Sequence, residues 1–96
     1  MYGTVARTRV KPENREKLRA TLAAQDAAAV PGYVTAYLLY ENDSDVAWMF
    51  AVFEDRASYE RNADDPAQNE RYLEYRALME QEPEWHDGEI EQGTGN

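Results

Sequence analysis

Few side chains in this 96-residue chain can carry chemistry, and their scarcity narrows the options. His86 is the only histidine and there is no cysteine, and because histidine is the side chain type whose unperturbed pKa lies near neutral, His86 is the one obvious candidate for a general base. The competing reading is a hydrogen-bonded residue at a strand edge, between Trp85 and Asp87. Tyr59 and Tyr72 are candidates to orient a phenolic ligand through their hydroxyls, against the alternative that both are core aromatics with satisfied O–H groups. Met49 and Phe53, four apart in an apolar run, share one strand face and are candidate cavity walls. Trp48 falls on the opposite face, where an interface is expected. Arg76 is a candidate for binding an anionic ligand, although pairing with Glu80 four residues on competes for it.

Other chemistries are disfavoured by composition. One histidine and no cysteine leave only carboxylates for a metal; Asp43 and Asp45 look like part of a calcium loop, but the remaining ligands and the central glycine are missing. No glycine-rich strand-to-helix turn offers a phosphate site, and neither Ser44 nor Ser58 has the nucleophile-elbow context that a triad with His86 would need. No cofactor and no metal are expected. With 19 acidic against 10 basic residues, a formal charge of −9 and no basic stripe, nucleic acid and anionic membrane surfaces are poor partners. The first residues lack a signal-peptide core and no run of 18 apolar residues occurs, so a soluble cytoplasmic protein is expected.

The elements that must position these groups are built around Val46 to Glu54, VAWMFAVFE, too short for a typical buried helix and rich in β-forming residues. Its near-continuous apolarity predicts a central strand covered on both faces. Before it, residues 2 to 10 read as a strand, Pro12 to Ala29 as a helix with a stripe of Leu18, Leu22 and alanines, and Tyr33 to Tyr40 as the hairpin partner of the central strand. After it, Asp55 and Asp65-Pro66 read as N-caps of one helix broken in two, whose second piece buries Tyr72, Tyr75, Leu78 and Met79 and closes at Pro83. Trp85 to Glu91 is the last strand, with Asp87-Gly88 a candidate bulge. Residues 1–92 form one domain, and 93–96 are expected to be a flexible tail.

This order is the ferredoxin-like β-α-β-β-α-β unit with an antiparallel sheet, an α+β class. Helices on one face leave the other sheet face apolar and uncovered, which predicts a homodimer. The passage FAVFEDRASYERNADDP, the amphipathic helix after it and the Pro83-Glu84-Trp85 strand entry resemble the antibiotic biosynthesis monooxygenase (ABM) type of dimeric α+β barrel. That resemblance implies a cofactor-independent monooxygenase of a quinol, polyphenol or aromatic polyketide-like molecule. The alternative is a non-catalytic ligand-binding or stress-associated dimer. By approximate register, the Asn and Trp associated with polyketide monooxygenases fall at Met49 and Phe53, and the Tyr at Tyr59; only the tyrosine is kept. The Asn, Trp and His of haem-degrading relatives fall at Thr4 or Ala6, Asn62 and Tyr72, so haem degradation is disfavoured.

Overall fold

The computed structural model describes residues 1–27 and 30–95, so the last two residues of the expected first helix and Asn96 lie outside the described residues. Strand β1 (Tyr2–Arg9) leads through a single 3-10 turn at Pro12–Asn14 into helix α1 (Arg15–Ala27). Strands β2 (Tyr33–Tyr40) and β3 (Val46–Phe53) form the hairpin, helices α2 (Arg56–Asp64) and α3 (Pro66–Arg76) follow, and β4 (Glu84–Glu89) completes the sheet. The strand order is β2-β3-β1-β4 with every pair antiparallel. This is the α+β arrangement expected, with β3 inside the sheet.

Registers fix the two faces. Ala6 opposes Met49 and Trp85, so Tyr2, Thr4, Ala6 and Thr8 share the helix side with Met49, Phe53, Trp85 and Asp87. The core lies there: Ala6, Val10, Leu18, Ala47, Met49, Tyr75 and Met79 form one buried cluster. Val5, Trp48, Phe50 and His86 point to the other side. The central strand is not covered evenly on both sides. On the helix side Ala47, Met49 and Phe53 are buried; on the other side Val46 and Val52 are buried at the ends, whereas Phe50 is 37% exposed and Trp48 half-buried between them.

The structure departs from the sequence reading in other places too. The α1 seam is Leu18 with Leu22; Ala20, Ala23 and Ala24 face solvent, because the i, i+4 leucines alone set the buried direction. The expected bulge at Asp87-Gly88 is absent, since β1 and β4 pair without a shift from Arg7↔Glu84 to Tyr2↔Glu89, and the irregularity lies instead at Tyr33/Thr35 in β2. Helix α3 stops at Arg76 rather than near Pro83. Turns in which Leu78 N–H reaches Tyr75 O and Met79 N–H reaches Arg76 O at 3.1 Å each then carry the chain to Glu80, whose N–H is bonded to Arg9 O at 2.9 Å.

Two local devices set α2 and α3 over the sheet. Asp55 accepts from Ser58 N–H at 2.8 Å while the Ser58 hydroxyl lies 3.4 Å from Asp55 N, a capping box. Asp65 caps α3 through Ala67 N–H at 3.0 Å with Pro66 in the first turn, and its extended backbone breaks the helix in two. Gly32, at φ 80°, turns the chain into β2 directly beneath Ser58, where an added Cβ would stand 2.3 Å from Ser58 Cβ.

Candidate active site

Between the helix side of the sheet and helices α2 and α3 lies a cavity of about 460 Å³. Its walls follow from the strand and helix periodicities. Strand β3 supplies Met49 and Phe53, α2 supplies Tyr59 and Asn62, α3 supplies Gln68, Asn69, Tyr72 and Tyr75, and β4 supplies Trp85 and Asp87. One end is an aromatic cluster in which Tyr59 lies 5.2 Å from Tyr2 and 5.5 Å, edge to face, from Phe53, and Phe53 meets Tyr33 at 5.7 Å. At the other end the Tyr72 ring is 5.3 Å from Tyr75 and 6.1 Å from Trp85.

The polar groups of this cavity are unequal. Tyr59 sits at the fourth position of α2, just past the capping box, and its hydroxyl donates to Asp87 Oδ1 at 3.1 Å. Burial first, then the Asp87 charge and its hydrogen bond, push the Tyr59 hydroxyl up to about 12, with the neighbouring Thr4 hydroxyl working the other way. At neutral pH Tyr59 is therefore a donor. It is no base. Thr4 opposes Asp87 across β1 and β4, and its own hydroxyl donates to His86 O at 3.3 Å. Tyr75 is likewise pushed up to about 12, chiefly by burial, and its hydroxyl receives the Gln68 amide at 3.4 Å.

Of the six residues singled out from sequence, Tyr59, Tyr72, Met49 and Phe53 line the cavity together. Tyr72 contributes its ring; its hydroxyl donates to Glu82 Oε2 at 3.0 Å, burial and then this hydrogen bond raise its pKa, and the hydrogen bonds from Tyr72 and Arg76 lower that of Glu82. His86 is not in the cavity. Strand alternation turns it to the open sheet face opposite Val5, where its side chain is largely exposed and Nε2 lies 2.9 Å from Glu84 Oε1. Arg76 is not in the cavity either, nor paired with Glu80: its Nε lies 3.2 Å from Glu82 Oε1 and its Nη1 donates to Met79 O at 3.2 Å, because α3 ends there and the turn brings Glu82 closer. Asp87, read in the sequence only as part of a candidate bulge, lines the cavity, and its i, i+2 spacing from Trp85 puts it on the same face. Among the described residues no three His, Cys, Asp or Glu gather as a metal site, and no helix is long and apolar enough to cross a membrane.

A four-stranded antiparallel sheet backed on one side by helices, with an aromatic-lined cavity between the two layers, defines a ferredoxin-like α+β protein. The family model for antibiotic biosynthesis monooxygenase matches residues 1–70, and the chain belongs to that family. Solved structures share the fold at low identity. SnoaB, a cofactor-independent oxygenase from Streptomyces nogalater, is 24% identical with a TM-score of 0.76, the match covering 99% of this chain and 97% of SnoaB. A conserved protein from Methanosarcina mazei Go1 is 15% identical at TM-score 0.72, over 94% of this chain and 92% of its own. Rv0793 from Mycobacterium tuberculosis is 18% identical at TM-score 0.69, over 97% and 98%. No curated protein matches the chain.

Proposed function

We propose that the protein is a monooxygenase that binds a planar quinol, polyphenol or aromatic polyketide-like molecule in the cavity and lets it react with dioxygen without a cofactor. The observation that carries this reading is the cavity itself: about 460 Å³, within the range of roughly 300–1,000 Å³ usual for small-ligand sites, walled by aromatic rings and Met49 and marked by a hydrogen-bonded Tyr59–Asp87 pair, in a chain of the ABM family. The likeness to SnoaB, a cofactor-independent oxygenase, is in keeping with it. In such chemistry the electrons come from the substrate. A hydroquinone and one O2 give a hydroxyquinone and one water: one oxygen atom enters the ring and the other leaves as water with the two hydrogens lost. The protein's share is to exclude water, fix the ring against Phe53, Tyr72 and Trp85, and hold the substrate hydroxyl near Tyr59.

The apolar open face of the sheet supports a second part of the proposal, that two copies associate face to face as a dimeric barrel. A non-catalytic ligand-binding dimer is the competing reading, favoured by one observation: Tyr59 holds its proton and the lone histidine stands on the far side of the sheet. Oxygen uptake separates the two. With a panel of quinols, the protein should accelerate consumption above the buffer rate, and Tyr59→Phe should lower turnover by at least tenfold with the circular dichroism spectrum unchanged. Saturable quinol binding with uptake at the buffer rate would leave the binding dimer.

A further inference from the structure

We infer that Asp87 makes this cavity selective for uncharged, hydroxyl-bearing aromatics and closes it to aromatic carboxylates. The inference rests on the reading of the cavity as a ligand site and names the class of ligand. Among the described residues that line the cavity, Asp87 alone carries a charge at neutral pH. No arginine, lysine or histidine lines it to receive an anion.

Of the cations beside lining residues in the chain, Arg61 is exposed on α2, and the other three are engaged or turned away. Arg71 donates through Nε to Gln68 Oε1 at 3.2 Å and through Nη2 to Asn62 Oδ1 at 3.4 Å. Arg76 is held by Glu82 and the Met79 carbonyl, and His86 is turned to the opposite sheet face. A carboxylate can accept about four hydrogen bonds, and Tyr59 uses one of them at Oδ1. The acceptor capacity left on Asp87 suits a ligand O–H. Asp87 is itself exposed, at the mouth of the cavity, so a ligand carboxylate seated against it would set two like charges side by side, with the bound ring displacing water from between them. The chain's formal charge of −9 acts in the same direction from farther away, but salt screens that part over about 10 Å at 0.1 M, whereas repulsion between two carboxylates at contact distance is screened less.

Anaerobic titration with 1,4-dihydroxynaphthalene and with its 2-carboxylate, read by quenching of tryptophan fluorescence in 0.2 M NaCl, tests this because the two probes share ring and hydroxyls and differ by one charge. The parent protein should bind the neutral probe at least tenfold more tightly. Asp87→Asn, which keeps an oxygen for the Tyr59 hydroxyl, should bring the two affinities within about threefold, mainly by tightening the carboxylate. Equal binding of both probes by the parent overturns the inference, a result that needs no variant, and so does an Asp87→Asn protein with native circular dichroism that keeps the full preference. If neither probe binds the parent, the ligand-site reading falls and the inference falls with it.

Discussion

At the scale of single residues the cavity is a problem of protons held in place. Tyr59 and Tyr75 both have hydroxyls raised to about 12, in each case chiefly by burial. In the unfolded chain a tyrosine ionises near 10, so between roughly pH 10 and pH 12 the unfolded state sheds protons that the folded state keeps. Stability contributed by these two residues is complete below pH 10 and is lost as pH rises through that window. Urea denaturation at pH 9, 10 and 11 should show a falling midpoint, and Tyr75→Phe should make the fall shallower; a flat profile would mean that the hydroxyls ionise freely. Leu18, wholly buried in the same core, should cost about 2–5 kcal/mol when cut to alanine. How legible these residues were depended on phase. Met49, Phe53, Tyr59 and Tyr72 follow from periodicities inside one element. His86 and Asp87 could be told apart only through the register of β4 against β1, a pairing across more than 80 residues of chain, and Arg76 only by knowing where α3 ends.

At the scale of elements, the break between α2 and α3 shapes the cavity, since it lets α2 present Tyr59 and α3 present Tyr72 and Tyr75 to one space. Both N-caps were visible in sequence as Asp55 with Ser58 three residues on, and Asp65 before Pro66, because cap chemistry is local. The end of α3 was not, because the turns that replace its last residues are fixed by distant partners such as the Arg9 carbonyl. Removing the first cap by Asp55→Ala should lower stability by about 1 kcal/mol in urea denaturation. Loss of the shifted Asp55 carboxyl belongs to the same interaction: hydrogen bonds from the Ser58 backbone and hydroxyl hold it below the usual carboxylate range, so the cap's contribution exists above the unfolded pKa near 4 and fades as pH falls through the folded value. Gly32→Ala should cost more than about 1 kcal/mol, because the positive φ disfavours any Cβ and Ser58 occupies the space it would need.

At the scale of the whole molecule, the sheet has two very different sides. Helices cover one; on the other, Leu39 pairs with Trp48 and Tyr37 with Phe50, and Val5 lies beyond Phe50, giving an apolar patch that reaches from the β2 edge to β1. Tyr37 is 65% and Leu39 57% exposed in the single chain. Arg7, Arg9, Glu84 and His86 share that face on β1 and β4, so it is divided into an apolar β2-β3 half and a charged β1-β4 half. Monomers seldom leave more than a few hundred Å² of contiguous apolar surface in water, and a second copy of the same face is the complement that symmetry offers at once. Sedimentation equilibrium at micromolar concentration is therefore expected to return twice the chain mass. Leu39→Asp is the informative variant, because Leu39 lies on the open face and outside the cavity lining. An unpaired charge there should shift the protein to monomer by weakening association at least tenfold, while its circular dichroism stays native. A parent that sediments as a monomer up to 100 μM would remove the face-to-face dimer, and the exposed Tyr37, Leu39 and Phe50 would then need a different partner.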